Sequence, residues 1–210
     1  MFRTFYARIP AEEPEPLPGD ISAYRLRRLK SIKNPAQRRQ SLGAELLLLR
    51  SLELAGELHQ PLNISVATGG KPFIDGGPCF SLSHSREMVF CALSDDIVGA
   101  DVQKILHGEP ESGLVRRCMS SRERLTYEAR EDKTEFFSLL WSLKESYAKL
   151  EGKGLARINP ASLDLELDDK GHARIRGGGP CFWYRVEDGY VYTVCSGKYR
   201  LPEEFTQVIL

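Results

Sequence analysis

Phe136-Phe137-Ser138-Leu139-Leu140-Trp141-Ser142-Leu143-Lys144-Glu145-Ser146-Tyr147-Ala148-Lys149-Leu150 is the stretch from which the architecture can be worked out. At about 100° per residue, Phe136, Leu140, Leu143, Tyr147 and Leu150 fall on one stripe, the mark of an amphipathic helix. Thr134 stands as its N-cap and Gly152 as its stop, giving a helix from Glu135 to about Glu151. A shorter helix precedes it, opened by a Ser120/Glu123 capping box and running through Arg130. Strand-like segments follow at Ser162 to Leu167, His172 to Ile175, Cys181 to Val186 and Tyr190 to Cys195. The first half of the chain repeats the order. Ile21 to Lys33 is basic and helical, and Asn34-Pro35 opens an apolar helix that stops near Gly56. Strand-like segments come next at Asn63 to Ala67, Lys71 to Ile74, Cys79 to Ser83, Glu87 to Leu93 and Ile97 to Val102. Helices then antiparallel strands, twice over, predict an α+β fold of two similar lobes related by a pseudo-twofold, each with strands packed on a long helix. The expected limits are residues 1–103 and 114–210, with 104–113 as linker. A local echo, Cys79-Phe80 with Val89-Phe90-Cys91 against Cys181-Phe182 with Val194-Cys195, points the same way.

Composition narrows the function. Twenty-nine basic residues balance 29 acidic ones. A neutral chain is neither a nucleic-acid coat nor a polybasic membrane binder. No apolar run reaches the roughly 20 residues of a bilayer span. Arg8 falls where a signal peptide would need its apolar stretch, so Met1 to Pro10 reads as a first strand. Pro10 to Gly19, rich in proline and glutamate, reads as a loop. Five cysteines, odd in number and without a CxxC pair, fit a reduced, cytoplasmic protein.

Four places offer chemistry. In Phe80-Ser81-Leu82-Ser83-His84-Ser85 a strand ends in hydroxyls and an imidazole, suited to a phosphate or simply to a solvated turn. In Val98-Gly99-Ala100-Asp101-Val102-Gln103 the strand period puts Asp101 and Gln103 on one face. A carboxylate there suits a hard cation such as Mg2+, or accepts turn hydrogen bonds. On the long helix, Glu145 and Lys149 lie one turn apart and off the apolar stripe, with Trp141 a turn before them. A surface pair would not need the tryptophan, so this face meets a second interior or a ligand. Arg38 and Arg39 oppose the macrodipole of the second helix, as cations do beside a bound anion or in plain solvent. Lys71, fixed in extended geometry by Pro72, adds another cation.

In order and spacing these residues resemble the 4'-phosphopantetheinyl transferases, specifically the two-lobed type of the surfactin synthetase activator. The matching elements are Gly70-Lys71-Pro72-Phe73, Phe80 to Ser85, Val98 to Gln103, and Phe136-Phe137 through Trp141, Lys144-Glu145, Lys149, Gly152 and Gly154-Leu155. The resemblance implies Mg2+-dependent transfer of the phosphopantetheine arm of coenzyme A to a serine of an acyl or peptidyl carrier protein, with release of adenosine 3',5'-bisphosphate. It implies Mg2+ at Asp101 and Glu145, Glu145 as base, and Lys149 neutralising the phosphate. It places His84 and Ser83 on coenzyme A phosphate, Lys71 and Pro72 along the adenine end, and Arg39 on the 3'-phosphate. Gln103 stands where the family usually has glutamate, which weakens the metal shell or leaves a water to fill it. A monomer is expected, with Arg116, Arg117, Arg122 and Arg124 as a basic surface for the carrier. The alternatives are a non-catalytic coenzyme A or carrier-binding module and a coenzyme A thioester acyltransferase using Cys118.

Overall fold

In the computed structural model, which describes residues 1–13, 19–105, 107–197 and 202–210, β5 (Met88–Ser94) and β10 (Tyr190–Ser196) are buried along their whole length. A strand without a wet face needs a layer on each side. Val89, Cys91 and Leu93 of β5 pack on one side with Leu42, Leu48 and Leu52 of the helix α2 (Pro35–Ala55). Phe90 and Ala92 face the other way, against Tyr192 and Val194 of β10. Val191 and Cys195 of β10 in turn pack with Leu140 and Leu143 of α5 (Lys133–Leu150). The layers therefore run helix, sheet, sheet, helix, with three apolar cores between them. This is the α+β class, with one long helix on each sheet.

One sheet orders as β11 (Phe205–Gln207), β1 (Phe2–Arg8), β5 and β4 (Cys79–Ser85). The other orders as β6 (Val98–Lys104), β10, β9 (Cys181–Glu187), β8 (His172–Ile175) and β7 (Leu165–Leu167). The Cys79-Phe80 and Cys181-Phe182 half of the echo marks equivalent hairpins, while Cys91 and Cys195 fall two residues out of register, since Phe80 faces Leu93 and Phe182 faces Cys195. In each, the cysteine that opens the first strand lies opposite the serine that closes the second, Cys79 to Ser94 and Cys181 to Ser196. Sheet membership divides the chain differently from lobes cut at residues 103 and 114. β6 pairs with β10 of the second half, and β11 returns to run parallel to β1. Gln103 and Lys104, assigned to the linker boundary, pair with Val191 and Tyr190 and so extend β6. Asp101 consequently sits mid-strand instead of at a strand end.

The remaining elements are α1 (Ala23–Ser31), the hairpin β2 (Ile64–Val66) with β3 (Pro72–Ile74), α3 (Ser112–Cys118) and α4 (Ser121–Glu128). The Asn34 cap, Pro35 at the first turn, the left-handed Gly56 stop and the Ser120/Glu123 capping box form as expected. Thr134 does not cap α5. The helix starts two residues earlier, after Asp132, whose carboxylate is held by Arg130 at 2.7 and 2.6 Å. Part of the loop expected from Pro10 to Gly19 lies outside the described residues. Among the described residues no helix is long and apolar enough to cross a membrane.

Candidate active site

The site begins with a glycine. A Cβ on Gly99 would stand 1.9 Å from the Ser146 carbonyl oxygen and 2.4 Å from the Leu150 nitrogen, so only a bare backbone lets α5 lie flat on β6. That close approach sets Ser142, Glu145 and Lys149 over the face of β6 that carries Asp101 and Gln103.

Asp101 is 5% exposed, and both of its carboxylate oxygens accept hydrogen bonds. Oδ1 accepts from Ser83 Oγ at 2.7 Å and from Lys149 Nζ at 2.7 Å. Oδ2 accepts from Ser142 Oγ at 2.9 Å. Glu145 is half-buried beside this cluster. Burial first, then the Asp101 charge, raises its pKa above the ordinary glutamate value, against an opposing pull from Lys149. Gln103 shares the Asp101 face and is half-buried. The donor chemistry suits Mg2+: carboxylate and amide oxygens, with two carboxylates and room in the coordination sphere for water or substrate oxygen. Among the described residues no set of three or more His, Cys, Asp or Glu is arranged to hold a metal, so the chain itself supplies only this pair of charges.

The serines of β4 do something sequence reasoning missed. Ser81, Ser83 and Ser85 all turn toward β6. Ser81 Oγ accepts from the Ala100 amide at 2.9 Å and Ser85 Oγ from the Lys104 amide at 3.0 Å, while Ser83 Oγ donates to Asp101. They stitch the two sheets together where no backbone ladder joins them. Ser83, expected on phosphate, is buried and directed at Asp101 instead, because the strand period gives it the same side as Ser81 and Ser85. The signal was present as Ser-x-Ser-x-Ser, one hydroxyl every second residue.

His84 faces away from that seam, at the surface. The crowding of its ring, then the charge of Lys149 and that of Arg25, holds its pKa below the usual histidine value. Arg28 adds to the same field. Arg25 is buried on α1, braced by Glu45 Oε2 at 3.1 Å and Ser41 Oγ at 2.7 Å. Arg28 is exposed. Within the basic stretch, Arg25 is thus anchored inside, while Arg28 stays at the surface against Tyr24.

Lys71 and Pro72 line a pocket of about 250 Å3 together with Ser81, Lys149, Gly152 and Lys153. Its wall depends on the turn before Lys71, since a Cβ on Gly69 would stand 2.2 Å from the Gly152 carbonyl oxygen. The Lys71 ammonium points inward, donating to Val98 O at 2.7 Å, and burial lowers its pKa. It offers the pocket its methylene stem more than its charge. Arg39 lies elsewhere, lining a hollow with Ile9 and Pro10 after β1 and with Arg86 and Glu87 of the β4–β5 turn. The expected nucleotide contacts therefore fall into two places, one beside Lys149 and one beyond His84. Trp141 is half-buried and stacks on Phe137, centroids 6.1 Å apart, at the edge of the α5 core. Cys118 is buried and its thiol is pushed up to about 11, so it is no ready nucleophile. A wider cleft of about 800 Å3 on β7 to β9, lined by Asp168, His172 and Arg174, holds none of these groups.

A carboxylate pair, a lysine and flanking cations come together where two helix-covered sheets meet, a charge arrangement suited to a phosphate group. Comparison with known proteins gives the family. A family model described as the 4'-phosphopantetheinyl transferase superfamily matches residues 97–195. The 4'-phosphopantetheinyl transferase ffp of Bacillus subtilis is 28% identical over 208 residues, covering 94% of this chain and 91% of that protein. The transferase Sfp of Bacillus subtilis strain 168 is 33% identical over 156 residues, 70% of this chain and 68% of its own. The transferase HetI of Nostoc is 30% identical over 173 residues, 75% and 72% of the two chains. The chain belongs to the 4'-phosphopantetheinyl transferase superfamily and is an enzyme of that class.

Proposed function

We propose that the enzyme moves the 4'-phosphopantetheine arm of coenzyme A onto a serine of an acyl or peptidyl carrier protein, in the cytoplasm and as a monomer. The observation that supports this most is the Asp101–Lys149 contact with Glu145 beside it, contributed by β6 and α5. Mg2+, held by Asp101 and Glu145 and by Gln103 directly or through a water, would supply charge neutralisation for the diphosphate. Glu145, beside Asp101, is the base for the carrier serine, directly or through a metal-bound water. The serine oxygen then bonds to the pantetheine-side phosphorus while that phosphorus parts from the bridging oxygen, which leaves on adenosine 3',5'-bisphosphate. Lys149 answers the charge that grows on the bridging and terminal oxygens.

His84 serves coenzyme A phosphate as a hydrogen-bond donor. Ser83 acts on the substrate through Asp101. Pro72 and the stem of Lys71 give the adenine an apolar wall, and Arg39, with the exposed Arg28, meets the 3'-phosphate. The two helix-covered sheets act as lobes, with coenzyme A along their seam. The carrier meets α3 and α4, where Arg116 and Arg117 are exposed, Arg122 and Arg124 follow, and Leu125 is 74% exposed. An acidic helical partner with an apolar knob fits that surface. Intact-mass measurement of an apo carrier incubated with coenzyme A and Mg2+ tests the reading. The carrier is expected to gain one phosphopantetheine. Binding without a mass change would leave a binding module, and gain of an acyl mass alone would leave an acyltransferase.

A further inference from the structure

Asp101 Oδ1 already accepts two hydrogen bonds, from Ser83 and Lys149, which fills its in-plane acceptor directions. Oδ2 accepts one, from Ser142. Whatever new partner Asp101 takes without breaking a bond must therefore be taken by Oδ2, in the direction that Ser142 leaves open. Ser142 is itself held. Thr193 lies directly across the ladder from Asp101, and its Oγ1 is 2.9 Å from Ser142 Oγ and 2.9 Å from the Ser142 carbonyl oxygen. Both residues are fully buried, so neither touches substrate. Two hydroxyl hydrogens serve three contacts: Ser142 to Asp101, Ser142 with Thr193, and Thr193 to the Ser142 carbonyl. Ser142 can donate to Asp101 with Thr193 behind it, or turn its hydrogen to Thr193 while Thr193 donates to the carbonyl. No heavy atom has to move between these arrangements.

We infer that Ser142, backed by Thr193, is a positioning residue for the transfer reaction: the pair aims the free acceptor direction of Asp101 Oδ2 and adjusts its hydrogens when that oxygen takes a cation. The inference rests on the proposed metal-assisted transfer, and its test has a separate readout. Mn2+ binding to the enzyme, without carrier, is measured by electron paramagnetic resonance, and kcat and KM by carrier loading. Ser142→Ala is expected to weaken Mn2+ binding and lower kcat by about 10- to 100-fold, the usual effect of removing a group that orients a metal ligand. KM for the carrier and the melting temperature should stay near wild type, and Ser142→Thr should restore both lost quantities. Thr193→Val, which keeps the shape but not the hydroxyl, should move Mn2+ affinity in the same direction by less, and it carries the comparison if Ser142→Ala does not fold. Wild-type Mn2+ affinity and kcat in Ser142→Ala or in Thr193→Val would overturn the inference, as would failure of Ser142→Thr to restore them. If the wild-type enzyme loads no carrier, the proposed function fails, while Mn2+ affinities still decide whether the pair positions Asp101.

Discussion

Two of the lysine–carboxylate pairs on helix α5, Lys144 with Glu123 and Lys149 with Asp101, do opposite work. Five residues turn a helix by about 500°, so the two lysines leave it about 140° apart. Lys144 is 0% exposed, and its three ammonium donors meet Glu123 Oε2 at 2.6 Å, Cys118 O at 2.7 Å and Pro160 O at 2.9 Å. Glu123 is completed by the Ser120 and Leu165 amides at 2.7 and 2.9 Å. That knot ties α5 to α3, α4 and the chain leading into β7. Lys149 holds the same kind of carboxylate but stands partly exposed at the wall of a pocket. The difference teaches that an ion pair's role follows from how complete its surroundings are. A closed pair cannot change partners; an open one can answer a phosphate.

The comparison breaks most visibly at Lys144. Lys144→Met leaves Glu123 charged and unpaired inside the protein, and should cost about 3–5 kcal/mol in urea unfolding. Adding Glu123→Leu should recover much of that loss, which would show that the pair specifies packing more than it stabilises. Lys149→Ala should do the reverse. Unfolding free energy should change by about 1 kcal/mol or less, since the pair is partly solvated. The loading rate should fall by about 10²–10³-fold, as expected for a group that meets developing charge. Gly99→Ala, which forces α5 off β6, should cost about 1–3 kcal/mol and reduce loading with it.

The smallest effect belongs to pH. The Glu145 pKa is raised in the folded protein, so the folded state holds that proton more tightly than the unfolded chain. Stability is therefore lost as pH rises through the unfolded value toward the folded one. Glu145→Gln removes this cost and should melt slightly higher than wild type at neutral pH. The gain should vanish below about pH 4, where the carboxyl is protonated in both states. Melting curves across pH read it directly, and a destabilised variant at pH 7 would mean that Glu145 is not strained by its neighbours.

Sequence patterns carried much of this. The strand period put Asp101 with Gln103 and the helix period put Glu145 with Lys149, the family resemblance joined the two faces, and capping residues fixed the starts of α2 and α4. What stayed hidden was non-local. β6 leaves its sequence neighbours for β10, and β11 is three residues long with no periodicity to announce it. Hydroxyls such as Ser142 and Thr193 carry no pattern that separates a buried partner from a solvated one. Lys144 was discoverable: it stands four residues from Leu140 and from Ala148, both wholly buried, so its ammonium had to find partners inside.

Carrier loading by Asp101→Asn, followed by intact mass beside the wild-type enzyme at saturating Mg2+ and coenzyme A, tests the central claim most directly. Wild-type enzyme should convert the carrier to the form bearing the arm, while the folded variant, with its charge removed but its shape kept, should leave the carrier apo over the same time. Loading by the variant at the wild-type rate would contradict the account.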